Sequence, residues 1–406
     1  MKTCGIICEF NPFHNGHAYL ISEAKRITGA DAVVCVMSGD FVQRGLPAIC
    51  DKYARTEMAL RNGADLVIEL PVIYATASSD YFALGAVSLL NSLNCIDYLC
   101  FGSETGDISL LNKYVDEKFI YNTEAHIIGA GNKASTYFRE GKSYAQKFSE
   151  DFGVNLGSND MLAACYIRAL KILKSNMKAV AIKRRGSAYL DVSEDSDSAT
   201  GIRRMIFERK DYSRFVPFEV KRLLDINEYE HFPVDISDFT QILYTRINSL
   251  IMLEKREEGD LTDYMDVSEN IAGRIRANIK DYTDYATFID DIHSKEYTKS
   301  RIMRALLHIL LDVRKTDYAE RYGDNQAVYA RIIGFKRNGS EVLSIMKDNS
   351  YIPIISKARE AKRILDDEDL KIFNIDIDAA NIYEQVCTFK WNNHPIHDFS
   401  KEIVIV

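Results

Sequence analysis

The 406-residue sequence has few of the residues that most often interrupt regular structure, with 7 prolines and 21 glycines. Long disordered linkers are therefore not expected. The sequence also lacks any run of the roughly 18 apolar residues that span a membrane. Its N-terminus lacks the basic and apolar regions of a signal peptide. These absences argue against a membrane partner and predict a cytoplasmic protein.

An excess of positive charge is also missing, because the net charge is −8 and the pI is near 5.6. The charge as a whole gives no support for nucleic-acid binding, so any basic face must be local. None of the cysteines forms a C-x-x-C pair, and most lie in apolar runs, which predicts buried free thiols. His394 and His397 have no further ligands at a recognisable spacing, so we expect a loop there and no metal site. The eight cysteines are Cys4, Cys8, Cys35, Cys50, Cys95, Cys100, Cys165 and Cys387.

Short apolar runs alternate with helical segments over the first two hundred residues. This alternation is typical of a parallel sheet buried on both faces, so an α/β fold is expected. From about residue 211 the pattern becomes helical, which places a domain boundary near 210. The predicted domains are 1–210, an α/β unit, and 211–406, which is mostly helical with a small terminal α/β part. The predicted strands are Cys4–Cys8, Ala32–Met37, Leu66–Leu70, Ile96–Phe101 and Lys178–Lys183.

The stretch Thr3-Cys-Gly-Ile-Ile-Cys-Glu-Phe-Asn-Pro-Phe-His-Asn-Gly-His17 reads as a strand, a tight loop and the start of a helix. Ligands sit beyond the carboxyl ends of parallel strands, and a helix N-terminus favours anions. We expect His14 and His17 on one face of that helix, with Gly16 leaving room for a group to approach the backbone. Such histidines can donate hydrogen bonds to a nucleotide's α-phosphate. The alternative is a pair of structural histidines.

A second helix start is predicted at Ser198-Ala-Thr-Gly-Ile-Arg203. Ser198 and Thr200 can cap this helix, and Arg203 then projects from its first turn, where it suits a pyrophosphate leaving group. The alternative is an ordinary capped surface helix. Lys183-Arg-Arg185 follows the last strand and either contacts the ligand or is only solvated. Asn159 is either an N-cap or also a nucleotide contact.

Two segments outside the sheet are locally basic. Basic side chains with nearby aromatics suit an RNA backbone and exposed bases, although such helices are equally often only solvated faces. Residues 201–222 contain Arg203, Arg204, Arg209, Lys210, Arg214, Lys221 and Arg222, and residues 295–321 contain Lys295, Lys299, Arg301, Arg304, Arg314, Lys315 and Arg321 with Tyr297, Tyr318 and Tyr322 among or beside them.

The two motifs resemble the signatures of the H-I-G-H nucleotidyltransferase superfamily, which has a Rossmann-like sheet. Longer stretches are similar to the bacterial tRNA(Met) cytidine acetate ligase family. They are Glu9–His17, Met37-Ser-Gly-Asp-Phe-Val-Gln-Arg-Gly45, Asn62-Gly-Ala-Asp-Leu-Val-Ile-Glu-Leu-Pro71 and Phe101-Gly-Ser-Glu104, with Thr298-Lys-Ser-Arg-Ile-Met-Arg304 in the helical half.

The resemblance implies that ATP activates acetate as acetyl-adenylate and that the acetyl group passes to the wobble cytidine of elongator tRNA(Met). It makes residues 1–210 the ATP-binding, nucleotidyltransferase-like catalytic domain and residues 211–406 the tRNA-binding domain. It places His14 and His17 at the α-phosphate transition state and Arg203 at the triphosphate or leaving group. Magnesium is expected with ATP, without nameable ligands, and no protein partner is implied. The ATP contacts implied are Ile7, Cys8, Glu9, Phe10, Asn11, Pro12, Phe13, His14, Asn15, Gly16, His17, Leu20, Gly102, Asn159 and Arg184, to which the capping argument adds Ser198 and Thr200.

Two departures from the family pattern stand out. Leu190 replaces a histidine in Gly186-Ser-Ala-Tyr-Leu-Asp191, and Phe10 replaces the more usual tyrosine. Two rival functions stay open at this point. One is a nucleotidyltransferase of the same superfamily that acts on a phosphorylated metabolite, and the other is a non-catalytic tRNA-binding protein.

Overall fold

A computed structural model describes residues 1–115, 157–184, 198–319 and 327–406. The polar stretch near 134–150, which we predict to be helical from its sequence, and the segment Arg185–Asp191 lie outside the described residues, as do Arg321 and Tyr322. Within the described ranges, no helix combines the length and the apolar character that a membrane span requires.

A mixed sheet forms the centre of the fold. Its strands follow the spatial order β10-β8-β5-β2-β1-β6-β7, with β9 paired to β8 and a separate two-stranded hairpin formed by β3 and β4. The predicted α/β class is confirmed. The strands are β1 Thr3–Cys8, β2 Ala32–Ser38, β3 Phe41–Val42, β4 Leu46–Pro47, β5 Leu66–Leu70, β6 Tyr98–Ser103, β7 Lys178–Lys183, β8 Ala330–Phe335, β9 Ile354–Ile355 and β10 Val404–Ile405.

The parallel part of the sheet is buried on both faces, as its continuous apolar runs predict. Successive residues of β2 point to opposite sides, so Val34 and Val36 join one hydrophobic core while Val33 and Cys35 join the other. β1 pairs in parallel with β2 on one side and with β6 on the other. The carboxyl ends of β1, β2 and β6 therefore meet at one edge, beside that of β7.

Helices cover both faces and build the second half of the chain. The second half is mostly helical, as the sequence predicts, and it includes a 25-residue helix at 367–391 that was not predicted separately. The helices are α1 Asn15–Thr28, α2 Lys52–Arg61, α3 Val72–Ala75, α4 Ser79–Ser92, α5 Ile108–Tyr114, α6 Ser158–Ile172, α7 Ala199–Phe207, α8 Phe218–Ile226, α9 Thr240–Glu254, α10 Glu269–Asn278, α11 Tyr285–Ile292, α12 Lys299–Leu311, α13 Lys315–Ala319, α14 Ser340–Asn349, α15 Ala361–Ile364 and α16 Asp367–Trp391.

The terminal α/β segment, which the sequence assigns to the second domain, adds β8, β9 and β10 to the sheet of the first. β8 pairs antiparallel with β5, so the sheet is mixed and not wholly parallel as expected. Four buried charges hold this junction together. Lys52 Nζ lies 2.8 Å from Glu69 Oε1, and Arg331 Nη1 lies 3.0 Å from Glu69 Oε2 and 2.7 Å from Asp398 Oδ2. The C-terminal segment therefore supports the sheet edge that carries the N-terminal motif.

Candidate active site

The loop that follows β1 is held in place by a fully buried arginine, Arg55. Arg55 Nη1 donates to the carbonyl oxygens of Glu9 at 2.7 Å and Ser38 at 3.0 Å, and Arg55 Nε donates to that of Cys50 at 3.0 Å. Asn11 Oδ1 accepts a hydrogen bond from the Ile49 amide at 2.8 Å. Buried carbonyl groups need such partners, so the loop has a defined shape before any ligand arrives.

His14 and His17 form a reciprocal cap at the start of α1. The structure corrects the expectation that His14 lies on the helix, because the helix begins at Asn15 and His14 is its N-cap residue. His14 Nδ1 accepts from the Gly16 amide at 3.0 Å, and His17 Nδ1 accepts from the His14 amide at 3.2 Å. The two rings stack with their centroids 3.7 Å apart. The histidines therefore act as one unit.

This cap determines which ring nitrogen carries the proton. A nitrogen that accepts a hydrogen bond carries no proton, so each neutral ring must be protonated at Nε2. Burial, with the charges of Arg184 and Arg203, lowers the pKa of His14 to about 3. Burial, His14 and Arg184 lower the pKa of His17 well below its ordinary value. Both histidines are thus neutral donors through Nε2–H at neutral pH.

Gly16 serves the histidine pair. A Cβ at this position would lie 2.8 Å from His14 Cε1 and 3.0 Å from His14 Nδ1. The group that approaches its backbone in this structure is the His14 ring, and room for a ligand at Gly16 stays a prediction. Any larger residue would displace that ring and break the cap.

The aromatic residues of the motif pack against the His17 ring. Phe10 and Phe13 are buried, and their ring centroids lie 4.9 Å and 5.5 Å from that of His17. These two rings hold the His17 ring in place by packing against it. The other predicted contacts Ile7, Cys8 and Pro12 are also buried, Leu20 is half-buried, and Asn15 is exposed. Their direct contact with ATP stays a prediction.

The second motif contacts the first. Ser198 is the N-cap residue of α7 and accepts from the Gly201 amide at 3.1 Å. Arg203 Nη1 donates to the Asn11 carbonyl at 2.6 Å, and Arg203 Nη2 donates to Thr200 Oγ1 at 3.3 Å. Thr200 therefore orients the arginine. Two helix N-termini and one arginine converge on the same loop.

The opposite flank of the site is formed after β6 and β7. Asn159 Oδ1 accepts from Arg184 Nη1 at 3.2 Å, and Asn159 Nδ2 donates to Glu104 Oε1 at 2.6 Å. A Cβ on Gly102 would lie 3.4 Å from Arg184 Cγ, so this glycine lies against the arginine stem. The structure thus brings Gly102, Asn159 and Arg184 together.

Glu104 is a residue whose role the sequence did not reveal. Its carboxylate accepts from the amides of Asn159 at 3.1 Å and Asp160 at 2.7 Å. The N-cap residue of α6 is Gly157 and not Asn159, and since Gly157 has no side chain to cap the helix, Glu104 supplies the cap. Glu104 belongs to the stretch Phe101–Glu104, and the likeness of this stretch to the family is the signal in the sequence that could have pointed to it.

The remaining candidate residues are the cysteines and the histidines near the C-terminus. All eight cysteines are free, and the described residues contain no cluster of His, Cys, Asp or Glu able to hold a metal ion. His397 stacks on Phe399 and contacts the Asn381 amide, in keeping with the loop expected there. Glu9, a predicted ATP contact, accepts from the Gln43 amide at 2.9 Å, and its direct contact with ATP stays a prediction.

Comparison with known proteins supports the likeness seen in the motifs. A family model described as HIGH Nucleotidyl Transferase matches residues 1–397. The tRNA(Met) cytidine acetate ligase of Thermoanaerobacter sp. (strain X514) is 38% identical over 395 residues, covering 94% of this chain and 95% of that protein. The protein of the same name from Clostridium tetani is 37% identical, with 100% of each chain covered.

The fold is also similar to a solved structure over its whole length. The crystal structure of Thermotoga maritima TmcAL bound with alpha-thio ATP has a TM-score of 0.83 and 28% identity, with 100% of both chains covered. Its apo form gives a TM-score of 0.84. The chain therefore belongs to the HIGH nucleotidyl transferase family and, within it, to the family of the tRNA(Met) cytidine acetate ligases.

Proposed function

We propose that the protein uses ATP to activate acetate and transfers the acetyl group to the exocyclic amine of the wobble cytidine of elongator tRNA(Met). The observation that carries this proposal is the paired cap of His14 and His17. It leaves an Nε2–H donor on each ring, at the edge of the sheet where a helix N-terminus favours a phosphate. Family membership supports the choice of substrates.

In the first step, a carboxylate oxygen of acetate attacks the α-phosphorus of ATP. The bond from that phosphorus to the bridging oxygen breaks, and pyrophosphate leaves with the electron pair. His14 and His17 would stabilise the charge that develops on the α-phosphate oxygens, because their donors are already oriented. Arg203, fixed by Asn11 and Thr200, would neutralise the leaving group.

In the second step, the cytidine amine attacks the acetyl carbon of the adenylate. AMP departs, and one proton of the amine is released. Asn159 and Arg184 support nucleotide binding on the flank beyond β6, where they bond to each other. A target base must be exposed before it can react in this way.

Magnesium would enter as part of the ATP substrate. No cluster of three candidate ligands is found in the described part of the chain. Magnesium usually keeps several waters and binds through substrate phosphates, which suits a site with few carboxylates. The proposal therefore assigns the ion to the phosphate oxygens and water.

The basic surface at 201–218 is the part best suited to tRNA. Arg204, Arg209 and Arg214 are exposed there, and Phe218 is 79% exposed. The Arg214 carbonyl accepts from Asn15 Nδ2 at 2.9 Å, which places this surface beside the start of α1. Exposed guanidinium groups can contact phosphates, and an exposed ring can stack on a base.

The second basic segment, 295–321, is less suited to that role. Arg304 Nε is bonded to Asp266 Oδ2 at 2.7 Å, and Tyr318 is buried. Lys299 pairs with Asp290 at 2.5 Å. These side chains stabilise the helical part of the molecule, so they leave fewer groups for RNA.

The decisive experiment incubates the protein with ATP, labelled acetate and tRNA, and identifies the labelled nucleoside. Label on cytidine is the expected result. Acetate-dependent pyrophosphate exchange without tRNA label would support adenylation but refute the tRNA target. Exchange with a phosphorylated metabolite instead would support the metabolite transferase, and binding of tRNA without exchange would support the non-catalytic protein. The cytoplasmic location stays a prediction from the sequence.

A further inference from the structure

The hairpin formed by β3 and β4 carries a charged residue at its tip. Phe41 and Val42 of β3 and Pro47 of β4 are buried, while Arg44 between the strands is exposed. The Gly45 amide donates to the Val42 carbonyl at 2.8 Å and closes the turn. Arg44 therefore stands on a packed support, not on a free loop.

The tip is held from two sides. On one side, the Gln43 amide donates to Glu9 Oε1 at 2.9 Å, which links it to the loop of the first motif. On the other side, a Cβ at Gly45 would lie 2.5 Å from the backbone nitrogen of Arg304, so the turn packs directly on α12. Arg44 lies between these two contacts, and its backbone position is therefore defined.

Arg44 and Arg203 approach the same loop from different elements. Arg203 donates to the Asn11 carbonyl, and Gln43, next to Arg44, donates to the Glu9 carboxylate. The pKa of Arg203 is lowered by burial; Glu9 opposes this effect and the charge of Arg44 adds to it. An anion bound between or beside these two like charges would relieve their repulsion.

The side chain of Arg44 has no internal partner in the described part of the chain. It forms no ion pair and donates no hydrogen bond within residues 1–115, 157–184, 198–319 and 327–406. A guanidinium presents several donors in a plane and matches a carboxylate or a phosphate through two parallel hydrogen bonds. The hairpin thus offers an unused anion-binding group beside the site.

We propose that Arg44 binds a substrate oxyanion during acetate activation, either the carboxylate of acetate or the phosphate of the departing pyrophosphate. This inference rests on the proposed function. Arg44 follows β2, on one side of β1, whereas Asn159 and Arg184 lie beyond β6 and β7, on the other side, so the two flanks suit different substrates. The attacking and leaving oxygens lie in line on opposite sides of the phosphorus. A residue on one flank of the site can therefore bind either the acetate or the pyrophosphate, but not both.

The test measures acetate-dependent exchange between ATP and pyrophosphate without tRNA, for wild type, Arg44→Gln and Arg44→Lys. Arg337→Gln is the matched control, because Arg337 is exposed and lies away from the site. It follows β8, whose Phe335 pairs with Leu66 at the start of β5, the end of that strand opposite to the site. The expected result is a kcat/KM at least about tenfold lower for Arg44→Gln, partly restored by lysine, with the control unchanged.

The kinetic constants distinguish the two anions. A raised KM for acetate alone identifies the carboxylate, and a raised KM for pyrophosphate alone identifies the leaving group. Unchanged constants in a variant with wild-type melting temperature would overturn the proposal, as would a loss confined to transfer onto tRNA. If Arg44→Gln is unstable, Arg44→Lys decides the question, since unaltered constants for acetate and pyrophosphate in that variant would refute two-point binding. Absence of acetate-dependent exchange in the wild type would refute the proposed function itself.

Discussion

Replacing His17 by asparagine should separate its capping role from its catalytic role. The Asn Oδ1 can take the place of His17 Nδ1 and accept from the His14 amide, which the histidine does at 3.2 Å. The Nε2–H donor is lost, because the shorter side chain does not reach that position. Loss of one preorganised donor costs about 2.7–4 kcal/mol in the transition state. Acetate-dependent exchange should therefore fall about 10²- to 10³-fold while the protein remains as stable as the wild type.

His17→Gln provides the complementary control. Its amide nitrogen reaches the Nε2 position but offers no acceptor where the cap needs one. We expect more residual exchange than for His17→Asn and a loss of about 1 kcal/mol in the free energy of unfolding, measured with urea. If His17→Asn retains exchange within threefold of the wild type, the Nε2–H donor is not part of the chemistry.

The lowered pKa of His14 also has a consequence for stability. In the folded protein its pKa is about 3, whereas an unfolded histidine has a pKa near 6.5. The folded state therefore binds fewer protons, and the contribution of this group is present above pH 6.5 and is lost as the pH falls toward 3. Urea unfolding at pH 7 and pH 5 should show a smaller decrease for His14→Gln than for the wild type. Equal decreases would contradict a buried, neutral His14.

Three further predictions concern the surroundings of the site. Arg331→Met should lower the free energy of unfolding by about 3–5 kcal/mol in urea titrations, because two buried carboxylates lose a partner; a change below 1 kcal/mol would refute this. Phe218→Ala should raise the KM for tRNA about fivefold or more without altering pyrophosphate exchange, through lost stacking. Tyr351→Ala is the control, because Tyr351 is 76% exposed at the amino edge of the sheet. It should change neither the KM for tRNA nor pyrophosphate exchange. Gly45→Ala should be more destabilising than Gly29→Ala in thermal melts, since both glycines have positive φ but only Gly45 packs against another backbone; the reverse order would argue against the packed hairpin.

Local patterns in the sequence were sufficient for the strands and for the two motifs. The strand β5, Leu66–Leu70, was predicted with its observed ends, because four of its five residues are apolar and a strand buried on both faces needs a nearly continuous apolar run. The helix α16 was missed. Its buried residues include Asp376 and Glu384 among apolar ones, so no clean apolar stripe marks it. Asp376 is buried because it accepts from the Val72 amide at 2.7 Å, a contact 304 residues away.

The sequence by itself determined the α/β class, the family likeness and the identity of the paired histidines, since each depends on residues close together in the chain. Only the tertiary structure decided that His14 caps the helix, that Gly16 accommodates its ring and that Glu104 caps α6. It also decided that β8 joins the sheet beside β5 and that Arg44 stands next to the first motif. These features depend on contacts between distant residues, and local propensity carries no information about which distant partners meet.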